Sequence, residues 1–254
     1  MILKTADDKA HTIAALEQLK EGAPPSIVKR IDQEIRNIRA GAAGERNAAH
    51  FINREFGRSE RVAVLHDLRL RVGTDFAQID HLLIHAVQAR AWVLETKNFS
   101  GRLSCDEHGD WTVWRNQHPR SIPSPVNQAR RQSILLSRWF EAAGVPGIEV
   151  IPTVLISPTT SVNRKHLADD ARIIKSDNFP DWLRKEAEGI DVFDSFRMVA
   201  GYFWNGRSGD WLQRLGRRLV RAHRPIEFDW PARFGLAKAE SAVVKKIDGG
   251  MPVT

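Results

Sequence analysis

The sequence predicts an α/β protein: a mixed sheet flanked by helices, preceded by an N-terminal helical hairpin and followed by a mainly helical C-terminal extension. Three observations carry this. Apolar residues recur at helical spacing across Ile27, Val28, Ile31, Ile35 and Ile38. Short apolar runs bounded by turn residues come next, from Val62 to Ile84 and again at Ala91–Leu94. The pattern then returns to a helix and one more strand before Pro158.

Element by element, residues 7–40 read as two helices broken at Gly22-Ala23-Pro24-Pro25. Gly41-Ala42-Ala43-Gly44 is expected to break the pattern, and Glu45 to open another helix that buries Ala48, Ala49, Ile52 and Phe56 and closes at Gly57. Val62–Leu65 and Leu68–Val72 read as a strand or bent arm. Gln78–His85 and Arg90–Glu95 read as two strands across a short turn. After the turn Asn98–Gly101, Arg102–Cys105 and Trp111–Trp114 form a hairpin. A Pro-broken loop over Pro119–Pro125 leads to a helix from Val126 to Ala143, then to a strand over Ile148–Ile156. Beyond it, a short helix is expected over Asp177–Glu188 and a stronger one over Trp211–Ala222, opened by Asp210. From Arg224 on, with Pro225, Pro231 and Gly235, the sequence reads as an ordered extension or a tail. The implied divisions are 1–40, 41–157 and 158–254.

Bulk composition narrows the function classes. Apolar content of 42% and charged content of 27% are globular values and argue against wholesale disorder. A net charge of +7 favours a polyanionic partner. Cys105 is the single cysteine, so an intrachain disulfide and a cysteine-based zinc site are both excluded. No window reaches the roughly 18 uncharged apolar residues of a membrane span. The expected setting is soluble and cytoplasmic.

The chemistry concentrates in two segments, Gln78-Ile79-Asp80-His81 and Glu95-Thr96-Lys97. Alternation places Asp80 with Leu82 and Ile84, turns His81 to the other face, and puts Glu95 and Lys97 together. Carboxylates in apolar strands are costly unless they are paired or bind a cation. Asp, then Glu-x-Lys one hairpin later, suits a hard divalent ion that activates water for phosphodiester cleavage. A structural ion pair between Asp80 and Lys97 is the competing reading.

The ordered segments Gly41–Glu45, Asp67-Leu68, Gln78–Ile84, Val93–Gly101 and Pro125–Gln128 resemble the NERD (nuclease-related) domain, a branch of the PD-(D/E)xK nuclease superfamily. The resemblance spans roughly residues 41–157. It implies a restriction-endonuclease-like core and a Mg2+ or Mn2+ cofactor. It implies that Asp80 and Glu95 are metal ligands, that Glu45 is an acid assisting them, that Lys97 is the catalytic lysine, and that Gln128 is the polar residue on the helix after the sheet. Glu45 read alone also suits a first helical turn, and Gln128 an ordinary helix N-terminus. One departure is Ser124-Pro125, where the family carries Asn-Pro.

The expected activity is metal-dependent phosphodiester hydrolysis in DNA; the alternative is a non-catalytic nucleic-acid-binding or scaffolding module. Candidate backbone contacts are Arg131 and Arg138, which share a helix face with Asn127, and Arg214, Arg217, Arg218 and Arg221, spaced i, i+3, i+4, i+7 opposite Leu212, Leu215 and Leu219. Those arginines also fit an ordinary solvated face. Trp111 and Trp114 fit either packing or base stacking.

Overall fold

In a computed structural model, residues 1–188 and 209–236 are described. The chain is mixed α/β, with two mixed sheets and six helices among the described residues. In chain order the elements are β1 (Ile2–Lys4), α1 (Ala10–Leu19), α2 (Pro25–Phe56), β2 (Val62–Val72), β3 (Asp75–His85), β4 (Arg90–Lys97), β5 (Arg102–Cys105), β6 (Trp111–Arg115) and β7 (His118–Ile122). Then come α3 (Pro125–Ala142), β8 (Glu149–Ile156), β9 (Ser161–Asn163), β10 (Ile173–Lys175), α4 (Phe179–Glu188), α5 (Gly209–Ala222) and α6 (Trp230–Phe234).

The large sheet has the order β1-β2-β3-β4-β8-β10. Its central strands are apolar on both faces because helices cover both. Leu82, Ile84, Ala91 and Val93 pack with Leu135, Leu136 and Phe140 of α3 and with Leu212, Leu215 and Leu219 of α5. Val62, Val64, Leu83, Trp92 and Leu94 pack with Ala48 and Ile52 of α2 and with Phe179 and Leu183 of α4. The small sheet, β7-β6-β5-β9, turns Leu103, Cys105 and Trp111 inward onto Val126 and Ala129 of α3 and Val154 and Ile156 of β8.

The described residues divide into two compact units, 1–8 with 39–188 and 209–226, and 9–38 with 227–236. In the second unit, Leu16, Ile31, Ile35, Trp230 and Phe234 form a hydrophobic cluster. Asp229 caps α6, and Gly235 ends it in the left-handed conformation at φ 71°.

Several elements differ from the sequence expectation. The break at Gly41–Gly44 does not occur; α2 runs through both glycines. At Gly44 the missing side chain serves packing. A Cβ there would lie 2.6 Å from the Asn98 Cβ, so the loop after β4 approaches the helix closely. Asn98 donates to the Ala40 carbonyl at 3.1 Å. Residues 62–72 form one strand. The Pro-broken loop contains β7, whose Pro119 is tolerated because β7 is an edge strand. Strands β1, β9 and β10 were not expected; three residues each are too few to register a period.

Strict alternation also fails at Asp80. Ile79 and Leu82, three residues apart, share one core cluster, as do Leu65 and Leu68 on β2. In the β2–β3 ladder His66 pairs with His81 and Leu68 with Ile79; Asp67 and Asp80 lie between these pairs. Asp67 has φ 50°, in the left-handed region where Asp is one of the few residues tolerated. The irregularity shifts both strands by one face without changing their register.

Candidate functional site

The β3–β4 ladder ends at the pair His81–Leu94. Asp80 and Glu95 are the next residues on the two strands, at the place where pairing stops. The carboxylate of Asp80 uses the freed backbone, accepting from the Thr96 N–H at 2.7 Å. Glu95 and Lys97 share a face of β4, and the Lys97 ammonium donates to Glu95 Oε1 at 2.7 Å. The ion pair thus joins Lys97 to Glu95, not to Asp80 as the structural alternative expected. Lys97 also donates to Gln128 Oε1 at 2.9 Å.

Gln128 comes from the first turn of α3. Ser124 caps that helix, its hydroxyl accepting from the Asn127 N–H at 3.1 Å, with Pro125 at the first helical position. The serine therefore does what an asparagine would do at this position. Four residues further on, Gln132 is buried, and its side-chain oxygen accepts from the Gln78 N–H at 2.8 Å. It anchors β3 two residues before Asp80.

The electrostatics are those of acids forced together. Asp80 is pushed well above the usual carboxylate range, first by burial and then by the charges of Glu95 and Glu45; the Thr96 N–H and Lys97 oppose this. Glu95, 4% exposed, is also raised by burial, against the pull of Lys97 and Arg131. Both carboxylates are more easily protonated here than in water, and a nearby cation would relieve that strain. Among the described residues, no group of three or more His, Cys, Asp or Glu side chains converges so as to hold a metal ion. The chemistry of the Asp80–Glu95 pair does fit magnesium or manganese, which take oxygen ligands and retain several waters. Glu45, half-buried on α2, reaches Asp80 through its charge.

Arg131 is exposed on α3 and close enough for its charge to act on Glu95. Arg138 is two turns further along α3, about 10 Å away along the axis. Arg214, Arg217, Arg218 and Arg221 are all exposed on α5, and Leu212, Leu215 and Leu219 are buried, as their spacing requires. This helix packs on β1 and β2. Arg218 donates to the Ala143 carbonyl at the end of α3 at 2.6 Å.

Behind Asp80 lies a buried histidine pair that sequence reasoning missed. His66 Nδ1 and His81 Nδ1 are 2.7 Å apart, and His66 Nε2 is 2.9 Å from Asn53 Oδ1 of α2. Burial, then the charge of Lys4, lowers His66 to about 4; burial, then His66, holds His81 well below the usual histidine range. Burial thus favours the neutral form of both rings. Cys105 is buried against α3 and burial raises its thiol, so it offers no nucleophile.

Residues 40–157 match the family model NERD, nuclease-related domain. This is the family that the ordered segments resemble, and the matched stretch contains Glu45, Asp80, Glu95, Lys97 and Gln128. No curated protein and no solved structure matches the chain. No helix among the described residues is long and apolar enough to cross a membrane.

Proposed function

We propose that this protein is a divalent-metal-dependent nuclease that hydrolyses phosphodiester bonds in DNA, acting in the cytoplasm. The observation that supports it most is the convergence of Asp80, Glu95, Lys97 and Gln128 where β3 and β4 part. Asp80 and Glu95 would hold magnesium or manganese, with Glu45 assisting through its negative charge. When bound, such an ion supplies Lewis acidity toward a phosphoryl oxygen and lowers the pKa of a bound water.

The remaining work falls to the protein's own side chains. Lys97 is held by Gln128 on one side and Glu95 on the other, so its ammonium is preorganised before substrate arrives. There it can orient an attacking water and offset charge that develops on the phosphoryl oxygens. Gln128 acts as a positioning residue for Lys97. Arg131 supplies positive charge for the phosphate backbone at the mouth of the site, and the arginines of α5 add affinity that does not depend on sequence.

The second reading, a nucleic-acid-binding module that keeps the fold without turnover, is favoured by one observation: Lys97 is already neutralised by Glu95. The deciding experiment incubates the full chain with duplex and single-stranded DNA and with RNA, plus magnesium or manganese, with and without chelator. Chelator-sensitive cleavage of DNA that disappears in Asp80→Asn supports the nuclease. Binding without cleavage of any substrate supports the module.

A further inference from the structure

Trp111 and Trp114 are three residues apart on β6, so alternation sends them to opposite faces of the small sheet. Trp111 is 6% exposed and packs with Leu103, Val126 and Ala129. Trp114 is half-buried on the other face, directly across from Arg102 of β5. The Arg102 guanidinium carbon is 5.3 Å from the Trp114 ring centroid, and the indole N–H donates to Ser104 Oγ at 3.0 Å. The ring is therefore fixed in place without being sunk in the core.

The register sets the rest of that face. Arg102 pairs with Ser161 and Ser104 with Asn163, while Trp114 pairs with Pro119 and Thr112 with Ser121. The open face thus presents small polar side chains around one aromatic and one arginine. None of β5, β6, β7 and β9 contains an acidic residue; of their arginines Arg102 lies on this face, whereas Arg115 and Arg120 share the face of Val113. An aromatic ring with a guanidinium over it, on a face without acidic side chains, has the chemistry that binds unpaired nucleotides: the arginine swings to a phosphate and the ring stacks on a base. The face is also near the chemistry. Arg102 is five positions after Lys97, a reach of at most about 18 Å.

We propose that the open face of the small sheet binds a single-stranded segment of nucleic acid, with Trp114 stacking on a base and Arg102 contacting the backbone. This rests on the nuclease reading for the substrate it serves: a strand unpaired next to the scissile bond.

The test measures binding of a labelled twelve-nucleotide dT strand, the matching rU strand and a blunt duplex of the same length by the full chain in chelator, where a metal-dependent nuclease cannot cut. Trp114→Ala should weaken dT binding at least about fivefold and duplex binding less than twofold. Trp114→Phe should retain most of the affinity. Arg102→Ala should reduce the salt slope on dT by about 0.7. Equal weakening on single strand and duplex, or Trp114→Ala and Arg102→Ala both matching wild type, overturns the proposal. An effect on rU but not on dT would assign the face to RNA and overturn the DNA reading. Lys97→Ala separates the two claims, because it should lower the cleavage rate at least about a hundredfold while keeping dT affinity. If the wild type cuts nothing yet the Trp114 effect stands, the nuclease reading fails and the platform survives.

Discussion

The carboxylate cluster at the end of β4 and the arginine helix α5 carry opposite charges in opposite circumstances. At the cluster, Asp80 and Glu95 are drawn out of water and pushed together, so their ionised forms are disfavoured. On α5 the leucines take the burial and the arginines stay in water. Each fully buried leucine contributes about 1.5–3 kcal/mol, enough to seat the helix without help from its charges. The contrast teaches where function costs stability. A surface that attracts a polyanion can be laid over a sound fold, whereas a site that performs chemistry must hold charge where the fold resists it.

The sharpest way to break the comparison is to disable the cluster. Lys97→Ala should lower the single-turnover cleavage rate at least about a hundredfold while leaving DNA affinity nearly unchanged. Asp80→Asn should abolish metal-dependent cleavage, and calorimetry should show its metal affinity reduced; equal affinity in wild type and variant would remove Asp80 from the site. The arginines should show the reverse. Changing Arg214, Arg217, Arg218 and Arg221 to Gln should weaken binding alike across sequences. It should also lower the salt slope on duplex DNA by up to about 0.9 for each phosphate no longer neutralised. The cleavage rate at saturating DNA should hold. An unchanged slope would mean that α5 does not touch the backbone.

Titration sharpens the contrast further. A carboxylate raised in the fold stabilises it at low pH, and the contribution is lost as pH rises from the ordinary value near ~4 through the raised one. In chelator, Asp80→Asn should therefore melt above wild type at pH 8, and the gap should close as the pH falls. The histidines behind the site act with the opposite sign. His66, lowered to about 4, contributes stability that is complete above its unfolded value near ~6.5 and is lost as pH falls toward 4. His66→Gln should flatten that acid limb, read by thermal melts from pH 7 to 4.

The smallest effect compares two glycines three residues apart in one helix. Gly41 has nothing within 4 Å of an added Cβ, so Gly41→Ala should stabilise by up to ~1 kcal/mol through helix propensity. Gly44→Ala has the same propensity gain but meets the Asn98 Cβ, so it should destabilise and displace the loop after Lys97. Denaturant melts of the two variants should move in opposite directions.

Asp80, Glu95 and Lys97 could be read from the sequence because charged residues are conspicuous in strands as apolar as Leu82–Ile84 and Ala91–Leu94. Gln132 left a fainter mark: a polar residue on the stripe formed by Ala129, Ser133 and Leu136, the face that α3 buries. The His66–His81–Asn53 contact left none. It depends on the β2–β3 register and on α2 crossing that place, and neither is encoded locally. The glycines of α2 misled because glycine is a helix breaker on average, while its use at Gly44 is set by a loop more than fifty residues away.

Local period, local polarity and the ordered segments that resemble the nuclease-related domain account for what the sequence determined by itself. This includes the core helices and strands, the division of α5 into leucines and arginines, and the chemistry of the strand acids. The tertiary structure alone decided which groups meet. It ended the β3–β4 ladder just before Asp80 and Glu95, gave Lys97 to Glu95 and Gln128, and sent Trp111 inward and Trp114 outward. Such contacts arise between segments far apart in sequence, through register and close approach, and side-chain periodicity records the face of an element but not its neighbour.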